Sequence, residues 1–539
     1  MLPIPTRSAY VTAVGAVLAL VIGTLLSSWP ATVLGGTVLL LFATGLALTM
    51  PLGRRVRRHR LEFAWWLAHA EPGSGGGAVV PGKPFEVKCF MRHRGAMHVS
   101  LRTMRPLAPG GATLHEDDGT SLELGPNART EFSFRLTAPA VGRVVLHGLA
   151  VTLPGPLGLF ELPLYFPNPL VIKVLPRAAL KTRAAPRTIT GLPVERSGAS
   201  LLAAAGSGTE LRELRQLRPG DPFKAIAWKA SARSGRLMVR EVEQEVQETR
   251  YVILDVSGTM RGGEPGRRKL DFAVEAAASE ARRTLDAGDR IGIVTVDGRL
   301  LSHLLPDDGR PQLLRAFETL LHAIEAVDDD LTDIDDDEVA AVVGRYVRQQ
   351  DGVDFSRGAT AWNVPMLVRH VEAALAETED KVPIRASTDA GVTLRRFCRV
   401  RGIPLPYRPD PRDALKGPGL AQALREAGGR SRTPMSIVMI TDFDGVGSMD
   451  ELEAAVRLLR LHGHGVSFIV PDAISFSDPR LSVRAPDVFL VYSRTEERRF
   501  REASEKLTRL GAAVIRAGAG DNPAIVVARA QRAMRRKAA

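Results

Sequence analysis

The chain has 539 residues, so about three compact units are expected at ~100–200 residues each. A hydrophobic fraction of 45% and a charged fraction of 24% exclude wholesale disorder, and 72 Lys+Arg against 60 Asp+Glu leave a net charge of +12. Two cysteines, Cys89 and Cys398, are too few for a disulfide framework or a four-thiolate zinc site and fit a reducing compartment.

Between Arg7 and Arg54 lie 46 residues without Asp, Glu, Lys, Arg or His. A membrane-crossing helix needs ~20 apolar residues. The run holds two candidates, over about 9–26 and 32–48. Ser27-Ser28-Trp29-Pro30 separates them: Trp belongs at headgroup level, and Pro is expected to break the helix there. The block Arg54, Arg55, Arg57, Arg58, His59, Arg60 predicts a cytoplasmic flank. With two spans, Arg7 lies on the same side and residues 61–539 face the cytoplasm from the inner membrane. The competing reading, a cleaved signal peptide, has one Arg in its n-region and a second apolar run behind it.

Residues 72–82 read as a flexible linker. From 84 to 175 short period-two runs such as Glu131-Phe132-Ser133-Phe134-Arg135-Leu136 alternate with Gly/Pro breaks, which predicts a β-sandwich-like domain over 80–176. Residues 177–249 comprise an Arg/Ala/Pro/Ser-rich linker and then a distinct block. That block has a turn at Pro219-Gly220-Asp221-Pro222 and Trp228 between Ile226 and Leu237. Trp228 is expected to pack in a core, and Arg233, Arg236 and Arg240 to meet solvent or an acidic partner.

From Arg250 onward, apolar strand-like runs alternate with helical stretches: 251–255, 290–296, 436–442, 465–470 and 512–515. This predicts a doubly wound, Rossmann-type α/β domain over 250–539, with an insertion over about 306–435. The insertion contains Asp328–Glu338, eight acids in eleven residues. An EF-hand needs Gly at position six and Glu at twelve, and neither fits, so a solvated acidic loop or helix start is expected.

The concentrated chemistry lies at Asp255-Val256-Ser257-Gly258-Thr259, where a strand ends and a helix begins. One carboxylate and two hydroxyls at alternate positions can converge on a hard cation, and Mg²⁺ suits oxygen ligands. Thr441-Asp442 ends a later strand at the same edge, with Asp444 as the rival acid; Thr360, in Arg357-Gly358-Ala359-Thr360, is a loop hydroxyl before a helix. Helix N-capping by Asp255 and Ser257 is the plainer alternative.

This pattern resembles the von Willebrand factor A domain and its metal-ion-dependent adhesion site. The resemblance assigns Asp255, Ser257, Thr259, Thr360 and Asp442 to a Mg²⁺ site, with Thr259 in place of the motif's second Ser. Over about residues 10–300 and its end, but not the insertion, the chain further resembles the bacterial membrane family called domain of unknown function 58. Three stretches carry that likeness: Leu153–Phe160, with Gly155 where the family turn has Asp; Leu214–Arg240; and Asp255–Met260 followed by Lys269-Leu270-Asp271. It implies a transmembrane hairpin, a β-domain and a von Willebrand A-like domain. It also implies a partner role beside a MoxR-type AAA+ ATPase, other von Willebrand A proteins or transglutaminase-like membrane proteins.

Walker A, Gly-x-Gly-x-x-Gly and His-Glu-x-x-His motifs are absent from the sequence. His462-Gly463-His464 fits a helix-to-strand turn, and Ser257 lacks the preceding Gly of a nucleophile elbow. The basic balance is scattered arginine without an aromatic-interleaved patch, so nucleic acid is not expected. Arg54–Arg60 and the tail Arg529, Arg532, Arg535, Arg536, Lys537 suit anionic lipid, the tail equally a solvated helix. The expected function is non-catalytic partner binding through the metal site. The alternatives are a scaffold with a vestigial site and an envelope Mg²⁺-dependent hydrolase.

Overall fold

The computed structural model describes residues 3–538 apart from 59–60, 69–77, 97, 108–111, 116–120, 180–204, 219–222, 244–246, 326–333, 359–360, 376–383, 385, 402, 404, 406–415, 430–432 and 478. Most of the two linkers, the Pro219–Pro222 turn, the acids Asp328–Asp333 and the Thr360 candidate therefore lie outside the described residues. One compact unit comprises Met1–Arg177, Gly262–Asp271 and Leu321–Pro411; a second comprises Ala178–Arg261, Phe272–Leu320 and Arg412–Ala539.

The first unit begins with helices α1 (Arg7–Leu25) and α2 (Trp29–Arg58), both long and apolar enough to cross a membrane. Thr6 caps α1 by accepting from the Ala9 amide. The reversal falls on Leu26–Ser28, with Ser27 at φ 50°. Pro30 sits in the first turn of α2 instead of breaking the helix, because its missing N–H is unneeded there. Gly23 and Gly35 permit the close crossing. A Cβ on Gly23 would lie 2.6 Å from the Thr32 amide nitrogen, and one on Gly35 2.7 Å from the Ala16 carbonyl oxygen.

Antiparallel sheets follow. β1 (Leu61–Leu67), β2 (Pro84–His93) and β4 (Arg129–Thr137) form one ladder; β3 (Thr103–Leu107), β5 (Gly142–Pro154) and β6 (Phe160–Val174) form the other. Alternation decides their faces. In β2, Phe85, Val87, Cys89 and Met91 point inward while Glu86 and Lys88 face water. Both ladders contribute to one hydrophobic core that includes Val87, Met91, Leu136, Leu149 and Ile172. The turn from Gly155 to Phe160 meets both helices: the Phe160 ring lies 4.8 Å from Phe42 of α2, and the Leu159 carbonyl accepts from the amide of Thr6, the α1 cap, at 3.0 Å.

Three further helices, Asp336–Gln350, Val364–Leu375 and Asp389–Arg401, enclose a small core with Val343, Leu367, Phe397 and Cys398. The described end of the acidic run is a helix start. Asp335 caps the first of these helices through the Glu338 amide at 2.7 Å, and Asp336, Asp337 and Glu338 occupy its first turn.

The second unit is a mostly parallel α/β sheet. Its strands are β7 (Thr249–Asp255), β8 (Arg290–Val296), β9 (Leu300–Asp307), β10 (Ser436–Ile440), β11 (Gly465–Pro471) and β12 (Ala513–Ala517). They lie in the order β9-β8-β7-β10-β11-β12, with β9 antiparallel to β8 and every other pair parallel. The central strands are buried on both faces, which explains their continuous apolar runs. Helix α3 (Lys416–Gly428) lies inside the stretch read from sequence as insertion, yet Leu420, Ala423 and Leu424 are part of this sheet's core. The chain order reverses between β7 and β10, and ligands of such sheets bind outside the carboxyl ends at that point.

Candidate functional site

Register builds the site. Leu254 pairs with Ile440 in the parallel β7–β10 ladder, so Asp255 and Thr441 leave the sheet side by side. The Thr441 hydroxyl donates to Asp255 Oδ2 at 2.6 Å, and the Ser257 amide donates to Asp255 Oδ1 at 2.9 Å. Thr259 Oγ1 lies 3.1 Å from Ser257 Oγ and donates to Asp442 Oδ1 at 2.8 Å. Four of the five sequence candidates, Asp255, Ser257, Thr259 and Asp442, thus converge. Thr360 falls outside the described residues. The rival acid Asp444 turns elsewhere and pairs with Arg499 at 2.5 Å.

A residue that sequence reasoning missed occupies the centre. Lys416, the first residue of α3, places its Nζ 2.8 Å from Asp255 Oδ2 and 2.8 Å from Thr259 Oγ1, and donates to Asp442 Oδ1 as well. Three ammonium N–H groups meet three oxygens, which uses the donor capacity of a lysine in full. Asp255 is 0% exposed, and Lys416 and Asp442 are each 2% exposed. Burial works against the charged lysine, but the two carboxylates outweigh it and hold its pKa above the ordinary lysine value.

The local sequence of α3 serves this placement. A cation at a helix N-terminus opposes the helix dipole by roughly 0.3–1 kcal/mol. Two glycines press that end against the sheet's loops. A Cβ on Gly417 would lie 2.5 Å from the Val446 carbonyl oxygen, and one on Gly419 2.5 Å from that of Asp297. Lys416-Gly417-Pro418-Gly419 was the available sequence signal: an unfavourable charge where small residues invite close approach.

The oxygen set does not fit Mg²⁺ while Lys416 is in place. An ion at the Nζ position would stand 2.8 Å from Asp255 Oδ2 and Thr259 Oγ1, whereas Mg²⁺ requires ~2.0–2.1 Å and Ca²⁺ ~2.3–2.6 Å. Among the described residues, no group of three or more His, Cys, Asp or Glu side chains is arranged to hold a metal.

The block after the second linker differs from expectation too. Its strands Ala205–Gln216 and Met238–Glu243 pair antiparallel around the short helix Trp228–Ser234. Ser231 clips that helix in place, its Oγ donating to the Ala227 carbonyl and accepting from the Met238 amide at 2.8 Å. Trp228 is not a core residue: it is 58% exposed and lies against Phe223, itself 74% exposed, at a ring separation of 5.8 Å. The seven-residue helix has one narrow inner face, and Ser231 takes it. Lys224, Lys229, Arg233 and Arg236 are exposed on the same block. His462 and His464 are the expected helix-to-strand turn, with Gly463 at φ 79° between them and His464 Nδ1 accepting from the Met435 amide at 3.3 Å.

Residues 213–347, which run from this block through Asp255, Ser257 and Thr259, match the family profile described as "Protein of unknown function DUF58". The chain carries a DUF58 domain. Uncharacterized proteins of Mycobacterium bovis and Mycobacterium tuberculosis are 28% identical over 129 residues. The match covers 23% of this chain and 41% of each relative's length. Among solved structures, a FixG-related protein from Vibrio parahaemolyticus matches 21% of this chain and 97% of its own, at 5% identity and a TM-score of 0.14. Native alpha-2-macroglobulin from Escherichia coli matches 84% of this chain and 65% of its own, at 10% identity and a TM-score of 0.18. Neither superposition bears on this chain's fold or function. Lys416 and Asp442 lie beyond the matched segment, so the edge is completed by residues outside the DUF58 profile.

Proposed function

We propose that this is a non-catalytic docking protein anchored in the inner membrane by two helices, with its bulk in the cytoplasm. Its α/β domain is von Willebrand factor A-like and its antiparallel region β-sandwich-like. The observation that carries the reading is the exposure of aromatic and basic side chains in the DUF58 block: Phe223 and Trp228 in ring contact, with Lys224, Lys229, Arg233 and Arg236 exposed in the same short segment. Aromatic and arginine side chains dominate the energetics of protein interfaces, and clustered cations select an acidic surface. The partner is accordingly an acidic protein face. The resemblance to domain of unknown function 58 proteins points to a MoxR-type AAA+ ATPase, with von Willebrand A or transglutaminase-like membrane proteins as neighbours. The basic run Arg54–Arg60 in the sequence suits anionic lipid.

The test is capture of the purified MoxR-type ATPase of the same genome by the immobilised full chain in detergent. Trp228→Ala and Arg233→Glu should each weaken capture by tenfold or more, about 1.4 kcal/mol. Capture insensitive to both substitutions, or no capture by the unaltered chain, refutes the reading. A metal-dependent adhesion site would require Lys416 to leave its oxygens and would show as capture abolished by EDTA. An envelope hydrolase would require the opposite topology and would show as activity of a periplasm-only reporter fused at the C-terminus.

A further inference from the structure

We infer that Lys416 is the resident cation of the β7–β10 edge, a tethered ammonium in the place where a fold of this kind would hold a divalent ion. The inference concerns the site alone and stands whether or not the docking face binds the partner proposed above.

Four observations carry it. Nζ sits among one oxygen each of Asp255, Asp442 and Thr259, at the sheet's switch point. The oxygens are spaced for an ammonium, with two contacts at 2.8 Å, and they saturate its three donors. The remaining demand of Asp255 is met within the protein, by the Thr441 hydroxyl on Oδ2 and the Ser257 amide on Oδ1. The helix delivering the lysine does so against its own dipole and with glycines at Gly417 and Gly419, which give it access to the strand ends.

A lysine and a dication cannot share this space. Two cations at contact distance in a buried site repel far more strongly than they would in water. The closed edge is therefore metal-free, and removing the ammonium uncovers two carboxylates and two hydroxyls, the donor chemistry a hard cation prefers.

The test is a Mn²⁺ titration followed by electron paramagnetic resonance on the full chain in detergent, which reads metal uptake and no partner binding. The unaltered chain is expected to take up no Mn²⁺ that Asp255→Asn removes. Lys416→Ala is expected to gain one Mn²⁺, and Lys416→Ala combined with Asp255→Asn to lose it again. One equivalent bound by the unaltered chain and lost in Asp255→Asn overturns the inference. A folded Lys416→Ala chain that takes up no more Mn²⁺ than the unaltered protein overturns it equally. Should Lys416→Ala fail to fold, the unaltered chain and Lys416→Ser decide the question by the same uptake.

Discussion

Replacing Lys416 by Met keeps the buried stem and deletes the charge, so its effect reports the ammonium alone. The lysine is 2% exposed and lies 2.8 Å from Asp255 Oδ2. At an effective dielectric of 20 that pair is worth about 6 kcal/mol of gross attraction. Much of it offsets the desolvation of the ions, and removing one partner of a buried pair costs about 3–5 kcal/mol because the other charge is stranded. Asp255, the partner left without its ammonium, is fully buried, which places Lys416→Met at the upper end. At about 2–4 °C per kcal/mol for a unit of 150–250 residues, the melting transition of the α/β domain should fall by roughly 10–20 °C. Differential scanning fluorimetry of the full chain in detergent measures it. Adding Asp255→Asn to Lys416→Met should recover part of the loss, since one stranded charge is gone. A fall of less than about 1 kcal/mol for Lys416→Met, or a further fall on adding Asp255→Asn, would refute the buried-pair reasoning.

Three more outcomes follow from buried groups elsewhere. Arg250 pairs with Glu248 at 2.8 Å, Asp289 at 3.0 Å and Glu280 at 3.4 Å. Arg250→Met should lower the same transition by about 3 kcal/mol, the lower end for a buried pair, because Arg283 still neutralises Glu280; denaturant melts check it. Burial, with Arg401 adding to it, lowers the His147 pKa from its ordinary 6.5 to about 4, and the ring pairs with Tyr346. The unfolded chain then binds the extra proton first, so the stability held above pH 6.5 declines as pH falls toward 4, by up to about 3 kcal/mol. His147→Gln should flatten that slope in melts taken across the window. Burial pushes the Cys398 thiol up to about 12 and Cys89 higher still, so neither should react with iodoacetamide at pH 8 until the chain unfolds, which mass spectrometry reads directly.

The parts of the fold written in local periodicity were legible. Forty-six uncharged residues specify two apolar helices, alternation from Phe85 to Met91 specifies a strand with one wet face, and the apolar run into Asp255 specifies a central parallel strand. The Asp255-x-Ser257-x-Thr259 spacing likewise announced a converging set, because strand end and helix start fix those side chains locally. Lys416 was not legible by that route. It arrives at Asp255 from far along the chain, through a helix that sequence reading left inside the insertion. Its identity as a ligand depends on β7 and β10 being neighbours, which no local pattern encodes. Trp228 failed for a different reason. Large aromatics are usually covered, but a seven-residue helix clipped by Ser231 has no room to bury one.

Docking without a metal is tested most directly by capture of the purified ATPase partner by the full chain in two parallel buffers, one with EDTA and one with millimolar Mg²⁺. Equal capture is expected in both, with loss in each on Trp228→Ala, since the binding residues are aromatic and basic and the sheet edge carries its own cation. Capture that appears only with Mg²⁺ and survives Trp228→Ala would contradict it.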